Sequence, residues 1–100
     1  MTDQPVVFVN IFDVEPDRQQ ELIDVLTRGA QEVIRHRPGF VSLALLASHD
    51  GQHVINLARW TSADDARATQ SDPQAADYAA RAAAVATASP GLYRVVAEIG

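Results

Sequence analysis

The amino-acid sequence predicts an α+β fold in which four antiparallel strands carry the helices on one face. The first observation is the order of patterns along the chain, where strand-like alternation and helix-like spacing follow one another as β, α, β, β, α, β. The second is a turn containing Asp50-Gly51 between two consecutive strands, which is typical of a hairpin. The third is the length of 100 residues, the size of one domain. We therefore expect residues 1–100 to form a single ferredoxin-like βαββαβ domain.

The first strand and the first helix have the clearest patterns. The stretch from Val6 to Val14 is rich in β-branched residues and alternates, which predicts a strand. From Asp17 to about His36, apolar residues recur at three- and four-residue intervals, which predicts an amphipathic helix. Acidic residues come early in this segment and Arg35 and Arg37 come late, an arrangement that suits the helix dipole. Pro38-Gly39 ends the helix.

The middle of the sequence predicts a hairpin followed by a short helix. Residues Phe40 to Ser48 and His53 to Trp60 are two apolar stretches on either side of the turn, so we expect two paired strands. Ser62 with Asp65 three residues later resembles a helix-capping pattern, with aspartate in place of the usual glutamate. A short helix should therefore begin just after Ser62.

The last third of the sequence predicts a helix and a strand. Asp72-Pro73 is a helix start, and the alanine-rich segment that follows should be helical to about Thr87. After Ser89-Pro90-Gly91, the stretch from Leu92 to Ile99 (LYRVVAEI) predicts the final strand.

Composition excludes several classes of protein. The formal net charge is −5, and the eight arginines form no basic stripe, which argues against nucleic-acid binding. The chain has no cysteine, so thiol redox chemistry is excluded. The N-terminal MTDQP lacks the features of a signal peptide, and no apolar run is long enough for a membrane helix. We therefore expect a cytoplasmic protein.

Apolar side chains on both faces of the predicted sheet indicate self-association. Helices cover only one face, and an uncovered apolar sheet of this size is an association site. We therefore expect a homodimer in which two sheets pack face to face. The residues expected on this dimer face are Val7, Val9, Ile11, Val41, Leu43, Leu45, Ile55 and Leu57.

Polar residues interrupt the strand face that should meet the helices. Because side chains alternate along a strand, Asn10 shares a face with Phe8 and Phe12, and Asn56 shares a face with Trp60. A buried amide without a partner costs roughly 1–3 kcal/mol, so two of them must either pair or meet a ligand. The alternatives are that the amides bond to each other, to backbone or to water, and that Trp60 is ordinary core packing.

The alanine-rich last helix favours a cavity above these residues. Its alanines supply little volume over a sheet that carries tryptophan and phenylalanine. Tyr78 and Arg81 lie three residues apart on this helix, so their tips are expected to point inward. The competing interpretation is that the alanines allow close packing and that Arg81 extends to water.

Other candidate sites carry weaker patterns. His49 and His53 bracket the hairpin turn with metal-like spacing, but a third ligand is lacking, which favours solvated turn residues. No phosphate-binding loop, catalytic carboxylate motif, nucleophile elbow, flavin motif or metal site is present. We therefore expect no cofactor and no metal.

The trio of Asn10, Asn56 and Trp60, together with the segment SADDARATQSDPQAADYAAR, resembles the antibiotic biosynthesis monooxygenase family over nearly the whole chain. The resemblance implies a dimeric α/β barrel. It is most similar to the branch that oxygenates anthrones to quinones in aromatic polyketide pathways without a cofactor. By this resemblance Asn10, Asn56, Trp60 and Arg81 are the expected catalytic residues. Phe8, Phe12 and Tyr78 are the expected substrate-binding residues.

A haem-degrading branch of the same family is a poorer match. That branch shares the first-strand asparagine but uses a tryptophan and a histidine on its later helices, and residues 63–87 here contain neither. Haem degradation is therefore not expected. Two alternatives stay open: a dimer that binds a small aromatic ligand without oxidising it, and a quinol monooxygenase.

Overall fold

A computed structural model of the protein describes residues 5–100 and has seven regular elements. Short 3-10 turns at Pro16–Arg18 and Ile34–His36 flank the first helix. In chain order the elements are β1 (Val6–Val14), α1 (Gln19–Glu32), β2 (Phe40–Ala47), β3 (His53–Trp60), α2 (Ala63–Gln70), α3 (Pro73–Ala83) and β4 (Ala86–Tyr93).

The four strands form one antiparallel sheet in the order β2-β3-β1-β4. This order puts β1 and β3 in the centre and β2 and β4 at the edges. The predicted ferredoxin-like fold is confirmed. In the central pair Asn10 is directly opposite Asn56, with Phe12 opposite Val54 and Phe8 opposite Ala58 on the same face.

Helix starts follow the capping residues that the sequence indicates. The Ser62 hydroxyl accepts a hydrogen bond from the backbone N–H of Asp65 at 3.2 Å. The Asp72 carboxylate accepts from the backbone N–H groups of Gln74 and Ala75, each at 3.1 Å. Both caps satisfy donors that the first turn of a helix leaves unpaired.

The last helix begins where the sequence predicts but ends earlier, and the last strand begins and ends earlier than predicted. Helix α3 ends at Ala83 and not near Thr87, and β4 spans Ala86–Tyr93, while residues 94–100 are not in a strand. Pairing with β1 over eight residues fixes the strand, so sheet pairing overrides the weak strand propensity of ATASPGLY. Pro90 is tolerated because β4 is an edge strand.

A bulge in β2 changes which of its side chains face the helices. The register with β3 shifts between Phe40 and Ser42, which inserts an extra residue at Val41. As a result Leu43 is opposite Ala58 and Leu45 is opposite Asn56, so both face the helices. The expectation that Leu43 and Leu45 belong to the dimer face is therefore wrong. Ala44 and Leu46 lie on that face instead.

The buried core on the helix side of the sheet has two parts. One cluster consists of Phe12, Val14, Leu22, Val54 and Ala82, and the other of Ala58, Trp60 and Ala66. The Asn10–Asn56 pair lies between them, because it occupies the register position between Phe12–Val54 and Phe8–Ala58. Hydrocarbon therefore fills both ends of this face but not its middle.

No helix in residues 5–100 is long and apolar enough to cross a membrane.

Candidate functional site

Three buried polar atoms belong to residues on the helix side of β1 and β3. The side-chain oxygens Oδ1 of Asn10 and Asn56 and the indole Nε1 of Trp60 are buried and have no hydrogen-bond partner within residues 5–100. The alternative in which the amides satisfy these atoms by bonding to each other or to backbone is not observed for them. Buried polar groups are nearly always paired, so orphan atoms in one region indicate a place where a ligand supplies the partners.

All three atoms belong to residues that line one cavity of about 290 Å³ under the helices. Its floor is the helix side of the sheet, and its walls come from all three helices. The lining residues are Phe8, Asn10, Phe12, Leu26, Gly29, Ala30, Ile34, Leu43, Asn56, Ala58, Trp60, Ala66, Thr69, Gln70, Ala75, Ala76, Tyr78, Ala79, Ala82, Ala88 and Pro90.

Small side chains keep this cavity open. Helix α3 contributes Ala75, Ala76, Ala79 and Ala82 to the lining, and each of these ends at a methyl group. On the floor the Trp60 ring is held edge-on to Phe40, with ring centroids 5.7 Å apart and planes at 83°. Trp60 is only 3% exposed, and its indole Nε1 is buried.

Thr69 and its neighbours fix the junction between α2 and α3 at one end of the cavity. The buried Thr69 hydroxyl donates to the Asp65 carbonyl at 3.1 Å and accepts from Arg37 Nε at 3.4 Å. Arg37 also forms an ion pair with Asp72 at 3.4 Å, where Asp72 caps α3. The guanidinium therefore ties the segment after α1 to the start of α3.

Tyr78 fastens α3 to α1 beside the cavity. Its ring lies against Gly29, where an added methyl group would be 3.0 Å from Tyr78 Cγ. Its hydroxyl donates a hydrogen bond to the Glu32 carboxylate, and this bond raises the pKa of Tyr78 above its ordinary value of 10.0. The phenol is therefore protonated at neutral pH and acts as a donor.

Arg81 does not line the cavity formed by the described residues, which differs from the expected inward orientation. Its guanidinium forms an ion pair with Asp77, one turn earlier, at 2.8 Å between Nη2 and Oδ2. The same group lies over the Tyr78 ring at 4.9 Å from the centroid, a cation–π contact. The side chain is 53% exposed, so Arg81 supports Tyr78 from the solvent side.

The other candidate residues lie together. Phe8, Asn10, Phe12, Asn56, Trp60 and Tyr78 all line the cavity. Sequence reasoning missed Gly29 and Thr69. Gly29 carried a usable signal, because a glycine inside a helix costs stability and often indicates a close approach by another group. Thr69 carried none, since its burial depends on how α2 packs.

A second, larger depression of about 510 Å³ lies at the other end of the sheet. Its lining includes Asp13, Glu15, His53 and the residues from Ala83 to Thr87, and His53 Nε2 is 3.0 Å from Asp13 Oδ1. Asp13 and His53 are already paired with each other, so the smaller cavity with its orphan atoms is the better candidate site. Within residues 5–100, no three histidine, aspartate or glutamate side chains form a group able to hold a metal ion.

The cavity offers a defined set of hydrogen bonds to a ligand. Two amide oxygens can accept, and one indole N–H can donate, within walls that are mainly hydrocarbon. Donors in such a dry site act strongly on a developing negative charge. The arrangement therefore suits a flat apolar molecule that carries hydroxyl and carbonyl groups.

Comparison with known proteins gives a consistent set of relatives. Residues 5–92 match the family model described as antibiotic biosynthesis monooxygenase. The chain is 47% identical over 66 residues to tetracenomycin-F1 monooxygenase from Streptomyces glaucescens. That match covers 66% of this chain and 59% of the relative, so it spans less than two thirds of the relative's length.

Two solved structures from Streptomyces are also similar. A mutant of SnoaB, a cofactor-independent oxygenase from Streptomyces nogalater, superposes with a TM-score of 0.87 at 29% identity, covering 96% of this chain and 97% of SnoaB. The monooxygenase from the gene ActVA-Orf6 of Streptomyces coelicolor, in complex with the ligand Nanaomycin D, has a TM-score of 0.85 at 30% identity. That superposition covers 96% of this chain and 91% of the other.

Proposed function

The chain belongs to the antibiotic biosynthesis monooxygenase family, and from that premise we propose that it is a cofactor-independent monooxygenase acting with O2 on a polycyclic aromatic polyketide intermediate. The reaction we propose is oxidation of an anthrone to a quinone. The observation that carries this proposal is that Asn10, Asn56 and Trp60, each with a buried polar atom that lacks a partner within residues 5–100, all line one mainly apolar cavity.

The names of the similar proteins support this class of reaction. One relative is a monooxygenase named for tetracenomycin F1, and one similar structure is described as a cofactor-independent oxygenase. A phenolic anthrone also complements the cavity: its hydroxyl groups can donate to the amide oxygens, and its carbonyl can accept from the indole N–H.

In the proposed mechanism the substrate supplies the electrons. Triplet O2 does not react directly with a closed-shell molecule, so the central methylene of the anthrone first loses a proton to give an electron-rich enolate. The enolate passes one electron to O2, and the two radicals combine to form a C–O bond. The resulting hydroperoxide loses water, so that CH2 and O2 become C=O and H2O.

The protein's contribution is to favour the anion. We assign the Asn56 side-chain NH2 and the Trp60 N–H as donors to the substrate carbonyl or oxyanion, and the Asn10 side-chain NH2 as a donor to the enolate or peroxide. The two Oδ1 atoms accept from the hydroxyl groups of the substrate. Arg81 was expected to stabilise this charge, but its position beside Asp77 leaves the task to the amides and the indole. Phe8 and Phe12 provide flat apolar contacts for the rings.

Oxygen consumption with dithranol or emodin anthrone tests the proposal, using chelator-treated, flavin-free protein. We expect Asn10→Ala and Trp60→Phe to slow turnover by about 10² to 10³, the usual effect of removing one oxyanion donor. Gln20→Ala is a matched control, because it removes an amide on the outer face of α1 that bonds only to Asp24 within residues 5–100. Unchanged oxygen uptake in both cavity variants would refute the assignment.

The same assay separates the alternatives. A non-catalytic dimer would bind an anthrone tightly, detected by calorimetry, without consuming oxygen. A quinol monooxygenase would consume oxygen with a quinol but not with an anthrone.

The homodimer is a second part of the proposal. On the sheet face away from the helices, Ile11, Val41 and Leu46 are 40%, 55% and 49% exposed. The segment after β4 also exposes apolar side chains, with Val96 at 81% and Ile99 at 98%. Because apolar surface of this extent favours association, we propose that two copies pack through this face.

A further inference from the structure

The residues that line the cavity differ sharply in exposure. The buried lining residues include Trp60, Ala66, Thr69 and Ala82. The exposed lining residues are Gln70, Ala76, Ala79, Ala88 and Pro90. The exposed set shows where the cavity opens to solvent.

Four of these exposed residues lie on α3 and β4, and the fifth, Gln70, is the last residue of α2. Ala76 and Ala79 are on α3, whereas Ala88 and Pro90 are on β4. Ala88 is opposite Phe12 and Pro90 is opposite Asn10 in the antiparallel register, so both β4 residues face the helices. Since they face the helices and are still exposed, α3 does not cover this edge of the sheet, and the opening lies between α3 and β4.

The other side of α3 is closed. There the Tyr78 ring lies against Gly29 and its hydroxyl bonds to Glu32, both on α1. Arg37 holds the start of the helix through Asp72. Helix α3 is thus fixed along its α1 side, and the width of the opening on its β4 side depends on the side chains at the rim.

The polar residues of the cavity lie at different distances from this opening. Strand β1 is next to β4, so Asn10 lies one strand spacing, about 4.8 Å, from the edge, and Asn56 on β3 lies two spacings in. Trp60 is the most deeply buried of the three. A flat molecule that enters edge-on therefore meets Asn10 first.

We propose that substrate enters between α3 and β4, and that Ala79 determines specificity by leaving a slot wide enough for a planar fused-ring aromatic. This inference rests on the proposed function for the identity of the substrate. It adds the route of entrance, the direction of binding and the residue that limits the size of the ring system.

Ala79→Leu tests the proposal by placing a larger side chain on the rim. Ala80→Leu is the matched control, because Ala80 is exposed on the same helix and outside the lining that residues 5–100 form. Both changes introduce the same good helix former, so both variants should keep the helix. Far-UV circular dichroism and thermal melting check this.

The first measurement does not depend on activity. Trp60 is the only tryptophan, and it lies in the cavity, so quenching of its fluorescence by acrylamide reports access from solvent. We expect Ala79→Leu to lose most of this quenching and Ala80→Leu to match the native protein. Equal quenching in the two variants would contradict the proposal that the entrance lies between α3 and β4.

The second measurement is the rate at which a three-ring aromatic molecule binds. Emodin, a three-ring quinone, is mixed with the protein, and its association rate is followed by Trp60 fluorescence. We expect Ala79→Leu to slow association by about tenfold, within the range for overpacking of a well-fitted site. An unchanged rate contradicts the role of Ala79. If Ala79→Leu fails to fold, Ala76→Leu on the same rim takes its place, with the same expected results.

Oxygen uptake by the native protein then separates the two proposals. Failure to consume oxygen with any anthrone refutes the proposed function, whereas the quenching comparison still decides whether the opening is between α3 and β4.

Discussion

At the scale of single residues, the central feature is that two amides and an indole are buried without partners. Each such atom destabilises the fold, because it has lost water without gaining a protein hydrogen bond. Asn10 and Asn56 are opposite each other on β1 and β3, so the two unpaired amide oxygens destabilise the same part of the sheet. Residues retained despite such a cost are expected at functional sites, where activity and stability conflict.

Asn56→Leu should therefore separate stability from activity. Leucine has a similar volume and removes the orphan oxygen, so we expect the free energy of unfolding to rise by about 1 kcal/mol in urea denaturation. Oxygen uptake should fall to the background rate in the same variant. Gln20→Leu, on the exposed side of α1, is the control and should leave activity unchanged. A destabilised Asn56→Leu protein would indicate that the amide has a partner after all.

Part of the cavity lining could be predicted from the sequence, because strand alternation puts Asn56 and Trp60 on one face of β3 and Asn10 on the face of Phe8 and Phe12 in β1. The position of the Arg81 guanidinium could not, because helical spacing fixes the direction of Cβ but not the tip of a long side chain. The residue that holds the Arg81 guanidinium outside the cavity could have been identified from the sequence. Asp77 is four residues earlier on the helix, a spacing at which opposite charges pair.

At the scale of elements, the attachment of α3 to α1 depends on Tyr78. The phenol meets charged groups from both helices: the Glu32 carboxylate raises its pKa, whereas Arg81 and Arg28 lower it, and the carboxylate has the larger effect. The strand and helix boundaries could not reveal this contact, since it joins residues 46 positions apart.

Titration of Tyr78 tests this attachment. Because its pKa is raised in the folded protein, the interaction contributes stability below pH 10 and is lost as the pH rises through the folded value. We expect tyrosinate absorbance to show a group ionising above pH 10, and Tyr78→Phe to remove that step. Glu32→Gln should lower the pKa of Tyr78. An unchanged titration in Glu32→Gln would contradict the hydrogen bond as its cause.

The elements themselves were predicted where the local pattern was strong. β1 and β3 have the predicted bounds, and Ser62 and Asp72 begin helices as expected. The end of α3 and the whole of β4 were misplaced, because ATASPGLY becomes a strand only through its pairing with β1. Local propensity cannot report a partner that is more than seventy residues away.

At the scale of the whole molecule, the sheet has two apolar faces, and the helices cover one. The sequence indicated that the second face is also apolar. The bulge at Val41, however, puts the β2 side chains that follow it on the opposite faces from those predicted. A single inserted residue moves every later side chain of a strand to the other face. Leu46 rather than Leu45 is therefore the residue of β2 to test in the dimer.

Leu46→Glu should weaken the proposed dimer. A carboxylate at this position would be buried between two sheets without a partner, which is strongly unfavourable. Sedimentation equilibrium should give about twice the monomer mass of 10.8 kDa for the native protein and the monomer mass for the variant. Ala80→Glu, on the outer side of α3, should remain dimeric. A monomeric native protein, or a dimeric Leu46→Glu variant, would exclude association through this face.

The division of the core into two clusters on either side of the asparagines has one more consequence. A flat aromatic ligand bound between the two core clusters would join them into one continuous apolar core. We therefore expect the free energy of unfolding to be higher for the ligand-bound protein than for the empty one. In the proposed reaction the substrate would complete the core when it binds, and release of the product would remove that contribution to stability.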